Sequence, residues 1–338
     1  MLKVGNINLK VLNKNEELGE SFLEYKLSGE NIDYTVANTI RRIIFKNIPI
    51  YAFNQFKFEK NTSIFHNSYI KLRLRQIPVW GINNKIDTID NSKKNLYEQN
   101  IQEENDEELA DNVDLETETN INLSSLNQLT MYVNYKNKTN NVVSVTTDDA
   151  KFYFDEKNIK SPYKTPILLV ELQPKQEIIF SAVTDIGIEE MNVMYSAVCI
   201  NCYKMINDNE FNMMLESRGQ INEKRILTIA LINIQNKLNN FLKLVTDENK
   251  VKMEGDLLEG IIIVNNEDHT LGNLITRGMQ QHKDISFAGY NLPHPLSNKV
   301  HFNFKLKKGT IIKVMKDVVE YYLDLFDNIN KLVKNNIK

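Results

Sequence analysis

One motif occurs twice in this chain, and the repetition constrains the fold more than any other feature. Residues 33–53 run DYTVANTIRRIIFKNIPIYAF, and residues 268–290 run DHTLGNLITRGMQQHKDISFAGY. The two frames agree at Asp33/Asp268, Thr35/Thr270, Asn38/Asn273 and Arg42/Arg277, and after a slip of two residues at Lys46/Lys283 and Ile48/Ile285. In both places Asp and Thr stand just before an apolar helical pattern, which is typical of a capped helix start. Two copies this far apart indicate a duplicated domain rather than a solenoid.

The elements predicted around each motif follow one order: a strand, the capped helix, an irregular turn, a strand and a long helix. We call the domain around residues 33–53 the first copy and the domain around residues 268–290 the second copy. The predicted helices are 34–46 and 227–245 in the first copy, and 270–282 and 310–335 in the second. Alternating apolar residues predict the neighbouring strands, which are two in 1–32 and one each in 192–205, 255–266 and 299–307.

The two long helices each have one apolar stripe, with steps of four and three residues. The central stripe residues are Leu231, Ile234, Leu238 and Phe241 in one helix and Val318, Tyr322, Leu325 and Ile329 in the other. A stripe of this kind is typical of a helix that packs on another helix. We therefore predict an α+β protein in which the two copies pair with each other inside one chain.

A β-rich insert interrupts the first copy. The predicted domains are 1–53 plus 180–250 for the first copy, 54–179 for the insert and 251–338 for the second copy. Near the start of the insert, IYAFNQFKFEK and YIKLRLRQIPVW are predicted strands. Residues 97–120 contain ten Asp or Glu residues and no Lys or Arg, which predicts a solvated, disordered or partly helical loop. The polar segment 245–256 is the predicted linker between the copies.

Composition and charge exclude several classes of function. The net charge of −3 gives no global basic character that would indicate nucleic-acid binding. The N-terminus has no continuous apolar region typical of a signal peptide, and no apolar run is long enough to span a membrane. The two cysteines, Cys199 and Cys202, are too few for a disulfide framework, so we expect a reducing, intracellular compartment. Their spacing inside a predicted strand points them to opposite faces, which disfavours a metal or redox site.

Two further clusters could take part in chemistry. Asp268 and His269, next to Glu267, could form an acid–base group, but the sequence shows no nucleophile beside them, and helix capping explains the aspartate. Arg41 and Arg42, with the basic stretch KLRLR at 71–75, could bind phosphates or a carboxylate-rich protein surface. A lysine- and arginine-rich face is also common as a plain solvated surface, so spacing alone leaves these alternatives open.

The motifs resemble those of a known family. DYTVANTIRRIIFKNIPIYAF, NTS at 61–63, YIKLRLRQIPV at 69–79 and GIEEMNVMYSAVCINCY at 187–203 resemble the α-like subunits of multisubunit RNA polymerases. NEDHTLGNLI at 266–275 and FAGYNLPHPL at 287–296 resemble the smaller partner of those subunits. In the family these are homologous subunits that form a heterodimer through their long helices. The order seen here, larger partner then smaller partner in one chain, is similar to fusions in large DNA viruses of eukaryotes.

The resemblance implies two homologous α-subunit-type dimerisation domains and a non-catalytic assembly platform of a DNA-directed RNA polymerase. It implies a first-copy surface that faces the second-largest subunit, formed by Asn38, Arg41, Arg42, Arg73 and Arg75. It implies a second-copy surface that faces the largest subunit, formed by Asp268, His269, Asn273, Arg277, Phe287, Tyr290, Pro293, His294 and Pro295. No catalytic residue is expected in this chain.

The resemblance also implies partners and a location. Many family members hold zinc or an iron–sulfur cluster through cysteines in the insert, but residues 54–190 contain no cysteine, so we expect no metal or cofactor in this chain. Magnesium is expected only in the largest subunit. The expected partners are the two largest subunits and small zinc-binding subunits, without direct contact to nucleic acid or membrane. If the chain is viral, we expect it in the host cytoplasm and in the virion. The alternative is a stand-alone nucleic-acid-binding transcription regulator that uses the arginine pair and KLRLR on phosphates.

Overall fold

The structure is a computed structural model that describes residues 2–15, 21–80, 82, 128–155, 157–246, 252–255, 258–294 and 299–337. It divides into two compact units: Met1–Ile48, Val198–Ser217 and Asn222–Lys338 form the first, and Pro49–Ala197 and Arg218–Ile221 form the second. The second unit is wider at both ends than the predicted insert of 54–179. The acidic segment 97–120 and most of the predicted linker lie outside the described residues.

The described secondary structure is mixed. The helices are α1 Tyr34–Lys46, α2 Asn67–Arg75, α3 Glu223–Thr246, α4 His269–Gln281 and α5 Ile311–Asn336. The strands are β1 Ile7–Asn15, β2 Ser21–Gly29, β3 Ile50–Asn61, β4 Leu129–Lys136, β5 Val143–Thr146, β6 Ala150–Phe154, β7 Lys157–Ile159, β8 Leu168–Leu172, β9 Glu177–Gly187, β10 Val198–Asn207, β11 Glu210–Ser217, β12 Lys252–Gly255, β13 Glu259–Asn265, β14 Ile285–Asn291 and β15 Lys299–Leu306. The helices predicted at 34–46, 227–245, 270–282 and 310–335 are thus confirmed as α1, α3, α4 and α5.

The first unit contains one antiparallel sheet from each copy. The first copy forms the strand order β1-β2-β11-β10, and the second copy forms β12-β13-β15-β14. Apolar residues alternate along the central strands, so one face of each sheet is buried. The buried residues of this kind include Leu23, Tyr25 and Leu27 on β2, Phe211, Met213 and Leu215 on β11, and Val300, Phe302 and Phe304 on β15. The shared strand order is what duplication of one domain predicts.

Helices α3 and α5 pack against each other within the first unit. All of the predicted stripe residues are buried, namely Leu231, Ile234, Leu238, Phe241, Val318, Tyr322, Leu325 and Ile329. Within the second copy, helix α4 lies close to α5 at Gly278. A Cβ atom at Gly278 would lie 2.5 Å from Val318 Cγ1 and 2.8 Å from Tyr322 Cε2. The two copies therefore pair inside the chain, as the apolar stripes predict.

The second unit is the β-rich insert. Its larger sheet has the antiparallel order β3-β9-β4-β6-β7, and a smaller sheet pairs β5 with β8. Helix α2 packs on β3 and β8. The core of this unit is aromatic and aliphatic, with fully buried Phe53, Met131, Phe152 and Phe180.

The strand predicted for YIKLRLRQIPVW is wrong, because its first half is helix α2. Alternation of Ile70, Leu72 and Leu74 suggested a strand, but Ile70 and Leu74 are buried while Leu72 is 61% exposed. Burial at a spacing of four residues is the pattern of a helix that rests one face on the core. His66 stands at the N-cap, where its Nδ1 accepts a hydrogen bond from Ser68 N at 3.3 Å.

Two further predictions in the first and second copies need correction. The strand predicted over 192–205 begins only at Val198, after a 3-10 turn at Val193–Tyr195 that Asn192 caps through Met194 N. The irregular turn predicted after α4 contains strand β14, which pairs antiparallel with β15. Pairing with β15 along the sheet satisfies the backbone groups of this segment.

Because α2 is a helix, Leu72 and Leu74 lie on different faces, and their substitution should change the free energy of unfolding by different amounts. Leu74→Ala is expected to lower the free energy of unfolding by about 2–4 kcal/mol because it leaves a cavity, and Leu72→Ala by less than about 0.5 kcal/mol. Urea unfolding of the two variants measures the difference. Equal losses would contradict the helix, since a strand would place both leucines on one face.

Candidate functional site

The aspartates of the repeated motif cap α1 and α4. Asp33 Oδ1 accepts hydrogen bonds from Thr35 N at 3.0 Å and from Val36 N at 3.1 Å. Asp268 Oδ1 accepts from Thr270 N at 2.8 Å. Each aspartate therefore satisfies backbone groups that have no partner within the helix.

The second carboxylate oxygen of each cap lies against the other copy. Arg277 Nε donates to Asp33 Oδ2 at 3.0 Å. In the opposite direction, Lys46 Nζ lies 2.9 Å from Asp268 Oδ2, and an Arg42 guanidinium nitrogen lies 3.6 Å from the same oxygen. We call these ion pairs the reciprocal contact. Arg42 and Arg277 hold equivalent positions in the motif. The contact is therefore reciprocal, and each copy binds the capping aspartate of the other.

A hydrogen bond between side chains extends the reciprocal contact. Arg42 Nε donates to Thr270 Oγ1 at 2.8 Å, and Thr270 Oγ1 in turn lies 3.2 Å from Asp268 Oδ2. The aspartate, threonine and arginine of the repeated motif thus meet at one place. This geometry gives a physical reason for a chain to contain the same helix start twice.

The electrostatic environment of Asp268 favours its charged form. Burial acts to raise the pKa of this carboxyl, but the hydrogen bond and charge of Lys46 and the hydrogen bonds of Thr270 together bring the pKa well below its usual range. At the other end, the hydrogen bond to Asp33 raises the pKa of Arg277 despite partial burial. The lowered pKa of Asp268 and the raised pKa of Arg277 both favour the charged forms of these two side chains.

Arg41 and Asn38 take no part in the reciprocal contact. Arg41 Nε and one of its terminal nitrogens donate to Asn38 Oδ1 at 3.1 and 2.9 Å, and the guanidinium lies 5.9 Å from the centre of the Phe45 ring. Asn201 Nδ2 donates to the Arg41 carbonyl oxygen at 2.8 Å, which fixes the backbone there. The side chains of Asn38, Arg41 and Phe45 are half-buried, so this face of α1 presents an ordered, positively charged surface.

The predicted second-copy residues fall into two groups. Asp268 and Arg277 belong to the reciprocal contact, and Asn273 is half-buried on α4. His269 is exposed, with its Nδ1 atom 3.4 Å from the Tyr290 hydroxyl.

The rest of the predicted second-copy surface is exposed where it is described, except for Tyr290, which is half-buried. Phe287 is 57% exposed, and Pro293 and His294 are also exposed. Pro295 lies outside the described residues.

Position 272 requires a small residue, because helix α4 packs closely on its own sheet there. Gly272 corresponds to Ala37, and a Cβ atom at Gly272 would lie 2.7 Å from Tyr290 Cδ2 and 3.2 Å from Val300 Cγ1. Helix α4 therefore approaches its own sheet closely there. The same packing holds the Tyr290 ring beside His269.

The acid–base interpretation of Asp268 and His269 gains no support. The Asp268 carboxylate oxygens are occupied by Lys46, Thr270 and the helix backbone. A general base needs a carboxylate or imidazole placed against a reacting group. The geometry fits helix capping and pairing of the copies instead.

The basic stretch 71–75 lies in the second unit, on α2. Arg73 Nε and one terminal nitrogen donate to the Leu168 carbonyl oxygen at 3.2 and 3.0 Å. The Arg75 guanidinium lies 5.8 Å from the centre of the Phe56 ring. Both arginines thus have partners inside the insert.

Metal and membrane sites have no counterpart in the part of the chain that the structure describes. No group of three His, Cys, Asp or Glu residues there could hold a metal ion, and no helix there is long and apolar enough to cross a membrane. Cys199 is exposed and Cys202 half-buried; both lie on β10 and neither forms a disulfide bond.

Sequence reasoning missed several members of the contact between the copies, namely Asp33, Lys46, Lys237, Glu267 and Thr270. Lys46 was matched only with Lys283 of the repeat, although it pairs with Asp268. Lys237, on the long helix α3, lies 3.6 Å from Glu267 of the second copy. The signal available for Lys46 was its spacing of four residues from Arg42, which puts both cations on one face of α1.

The fold and this site define a duplicated dimerisation module whose halves are paired within one chain. Two family models agree: both describe an RNA polymerase Rpb3/Rpb11 dimerisation domain, and they match residues 26–238 and 259–332. The chain therefore belongs to the RNA polymerase Rpb3/Rpb11 dimerisation-domain family, as a fused α-like subunit.

Known proteins resemble the chain over different lengths. A protein of Acanthamoeba polyphaga mimivirus, named as a DNA-directed RNA polymerase subunit, is 28% identical over 97% of this chain and 94% of its own length. A probable RNA polymerase II subunit RPB11 of Plasmodium chabaudi chabaudi is 32% identical over 32% of this chain and 90% of its own length. A Dictyostelium discoideum subunit of RNA polymerases I and III is 26% identical over 27% of this chain and 84% of its own length.

The depressed pKa of Asp268 predicts an acid-sensitive contribution to stability. Asp268→Asn keeps a capping oxygen but removes the charge, and we expect it to lower the free energy of unfolding at pH 7 by about 1–3 kcal/mol. The stabilisation by the native carboxylate is complete above the pKa of the unfolded chain, about 4, and is lost as pH falls through the lower folded-state pKa. The gap between variant and wild type should therefore narrow below about pH 4.

Urea unfolding at several pH values measures this gap. Asp327→Asn is the matched control, because Asp327 pairs with Lys331 on an exposed face of α5. The control should cost less than about 0.5 kcal/mol at pH 7. A gap for Asp268→Asn that stays constant from pH 7 to pH 3 would contradict the assignment.

Proposed function

We propose that this chain is a non-catalytic assembly platform of a DNA-directed RNA polymerase, which docks the two largest, catalytic subunits. The single observation behind the proposal is that both copies of the dimerisation domain are present and paired within the first unit. Tethering makes pairing intramolecular, with effective concentrations on the order of mM for short linkers. The platform thus presents a composite surface without a prior association step.

The proposed surface for the second-largest subunit is the face of α1 that the reciprocal contact leaves unused. Arg41 is ordered by Asn38 and Phe45, and its guanidinium can form paired hydrogen bonds to a carboxylate or to backbone carbonyls. Ordering before binding reduces the entropy that docking costs. Arg42, by contrast, is assigned to internal pairing.

The proposed surface for the largest subunit is the exposed end of the second copy. Phe287 is 57% exposed on the edge strand β14, and exposed His269, Pro293 and His294 add polar and rigid groups. An exposed aromatic residue with polar neighbours is a common anchor of a protein interface. Burial of Phe287 by the largest subunit is the expected consequence.

The similarity to the mimivirus protein supports a viral origin and a fused-subunit role. We propose that the chain acts in the cytoplasm of an infected cell and is packaged in the virion. We further propose that it holds no metal or cofactor, with small zinc-binding subunits as additional partners. A stand-alone nucleic-acid-binding regulator has less support, since Arg73 and Arg75 have partners inside the insert.

Substitution of two neighbouring arginines tests docking and internal pairing separately. Arg41→Ala is expected to leave the free energy of unfolding within about 0.5 kcal/mol of wild type, and to reduce recovery of the large subunits about tenfold. Arg42→Ala is expected to lower the free energy of unfolding by about 1–3 kcal/mol, because it removes the bond to Thr270 and a charge near Asp268. Native mass spectrometry of material purified through a tag on this chain measures the recovery.

Wild-type material should contain two subunits above about 100 kDa in equal ratio to this chain, a size expected for catalytic subunits of a multidomain enzyme. Recovery of the chain alone, or bound to nucleic acid, would contradict the platform. Normal recovery with Arg41→Ala would instead contradict only the assigned face of α1.

A further inference from the structure

The contact between the copies has two ends that differ in charge. At the charged end, the second copy contributes Glu267 and Asp268, and the first copy contributes Arg42, Lys46 and Lys237. Lys46 Nζ lies 2.9 Å from Asp268, and Lys237 Nζ lies 3.6 Å from Glu267 Oε2. The Glu267 side chain is only 10% exposed and that of Lys237 33% exposed, so this end is partly shielded from water.

At the other end, the equivalent positions are mostly uncharged. Asp33 pairs with Arg277, but the last residue of α4, which is structurally equivalent to Lys46 at the end of α1, is Gln281. The position of Glu267 is taken by the fully buried Ile32. The equivalent of Lys237 is Tyr321, whose hydroxyl hydrogen-bonds to Asn31. Among the positions equivalent to those of the charged end, this end therefore has one cation and one carboxylate.

Two polar contacts establish the equivalence of Lys237 and Tyr321. Asn233 of α3 donates a hydrogen bond to the carbonyl oxygen of Asn47 at 2.7 Å, and Asn47 is the residue directly after α1. Asp317 of α5 lies 3.3 Å from Nε2 of His282, one residue after α4. Asn233 and Asp317 thus hold the same place in the two copies, and four residues further along their helices stand Lys237 and Tyr321.

We infer that Lys46 and Lys237 of the first copy, with Glu267 of the second, determine that unlike copies pair. Counted over these equivalent positions, the observed pairing places three cations against two carboxylates at one end, and one cation against one carboxylate at the other. Two first copies paired in the same geometry would place three cations against one carboxylate at both ends. Two second copies would place two carboxylates against one cation. Each like pairing concentrates one sign of charge, which disfavours it.

This selectivity matters because every chain contains both copies. Like pairing would join two chains through their first copies or through their second copies, and would leave the chain without its composite surface. The apolar stripes of α3 and α5 are hydrophobic in both copies, so they distinguish the partners less sharply than charge does. The inference concerns pairing alone and does not depend on the proposed docking of large subunits.

A mixing experiment with the full chain tests this role. Lys237→Glu and Glu267→Lys are made in separate chains, one of them labelled with 15N. Each variant alone places like charges at position pair 237/267 in every pairing of unlike copies. When the two are unfolded and refolded together, a mixed two-chain species regains opposite charges at both of its contacts. Native mass spectrometry resolves this species by mass.

We expect the mixed species to exceed the two-chain species of either variant alone by about tenfold, since two ion pairs are regained at once. A single chain with both substitutions should refold as wild type does. Lys243→Glu in place of Lys237→Glu is the matched control, as Lys243 is an exposed lysine of the same helix, and it should give no enrichment. Random mixing of the two variants, or equal enrichment in the control, would overturn the inference.

Discussion

The first unit depends on an exchange of ionic contacts between two helix starts. Asp33 and Asp268 each cap a helix of their own copy and bind a cation of the other copy, so one side chain serves local folding and domain pairing together. A carboxylate that is already fixed by backbone donors loses little further entropy when a guanidinium binds it. The repeated motif is therefore the interface, and the long helices α3 and α5 supply the apolar area beside it.

Much of this arrangement could be predicted from the sequence. Periodicity located α1, α3, α4 and α5, and the apolar stripes predicted that the last helices of the copies pack together. Helix α2 could not be predicted this way, because apolar residues at every second position fit a strand and a helix over so short a stretch. Only the core of the insert decides that Leu72 faces outward.

The assignment of the site residues was less complete for a geometrical reason. Alignment of the two motifs matches Arg42 with Arg277. In the structure, each of these arginines instead lies against the capping aspartate of the opposite copy. A family resemblance assigns both arginines to docking, but their partners in the structure are internal. Arg41, which the resemblance groups with Arg42, lies outside the reciprocal contact, where Asn38 and the Phe45 ring order its side chain.

The central claim is that Asp33 and Arg277 stabilise the chain as a pair across the two copies. A double-mutant cycle with Asp33→Ser, which retains a capping oxygen, and Arg277→Gln measures their coupling by urea unfolding. The account predicts a coupling free energy of about 1 kcal/mol at low ionic strength, which decreases as salt is added. Additive effects of the two substitutions would show that the motif is repeated for some reason other than pairing.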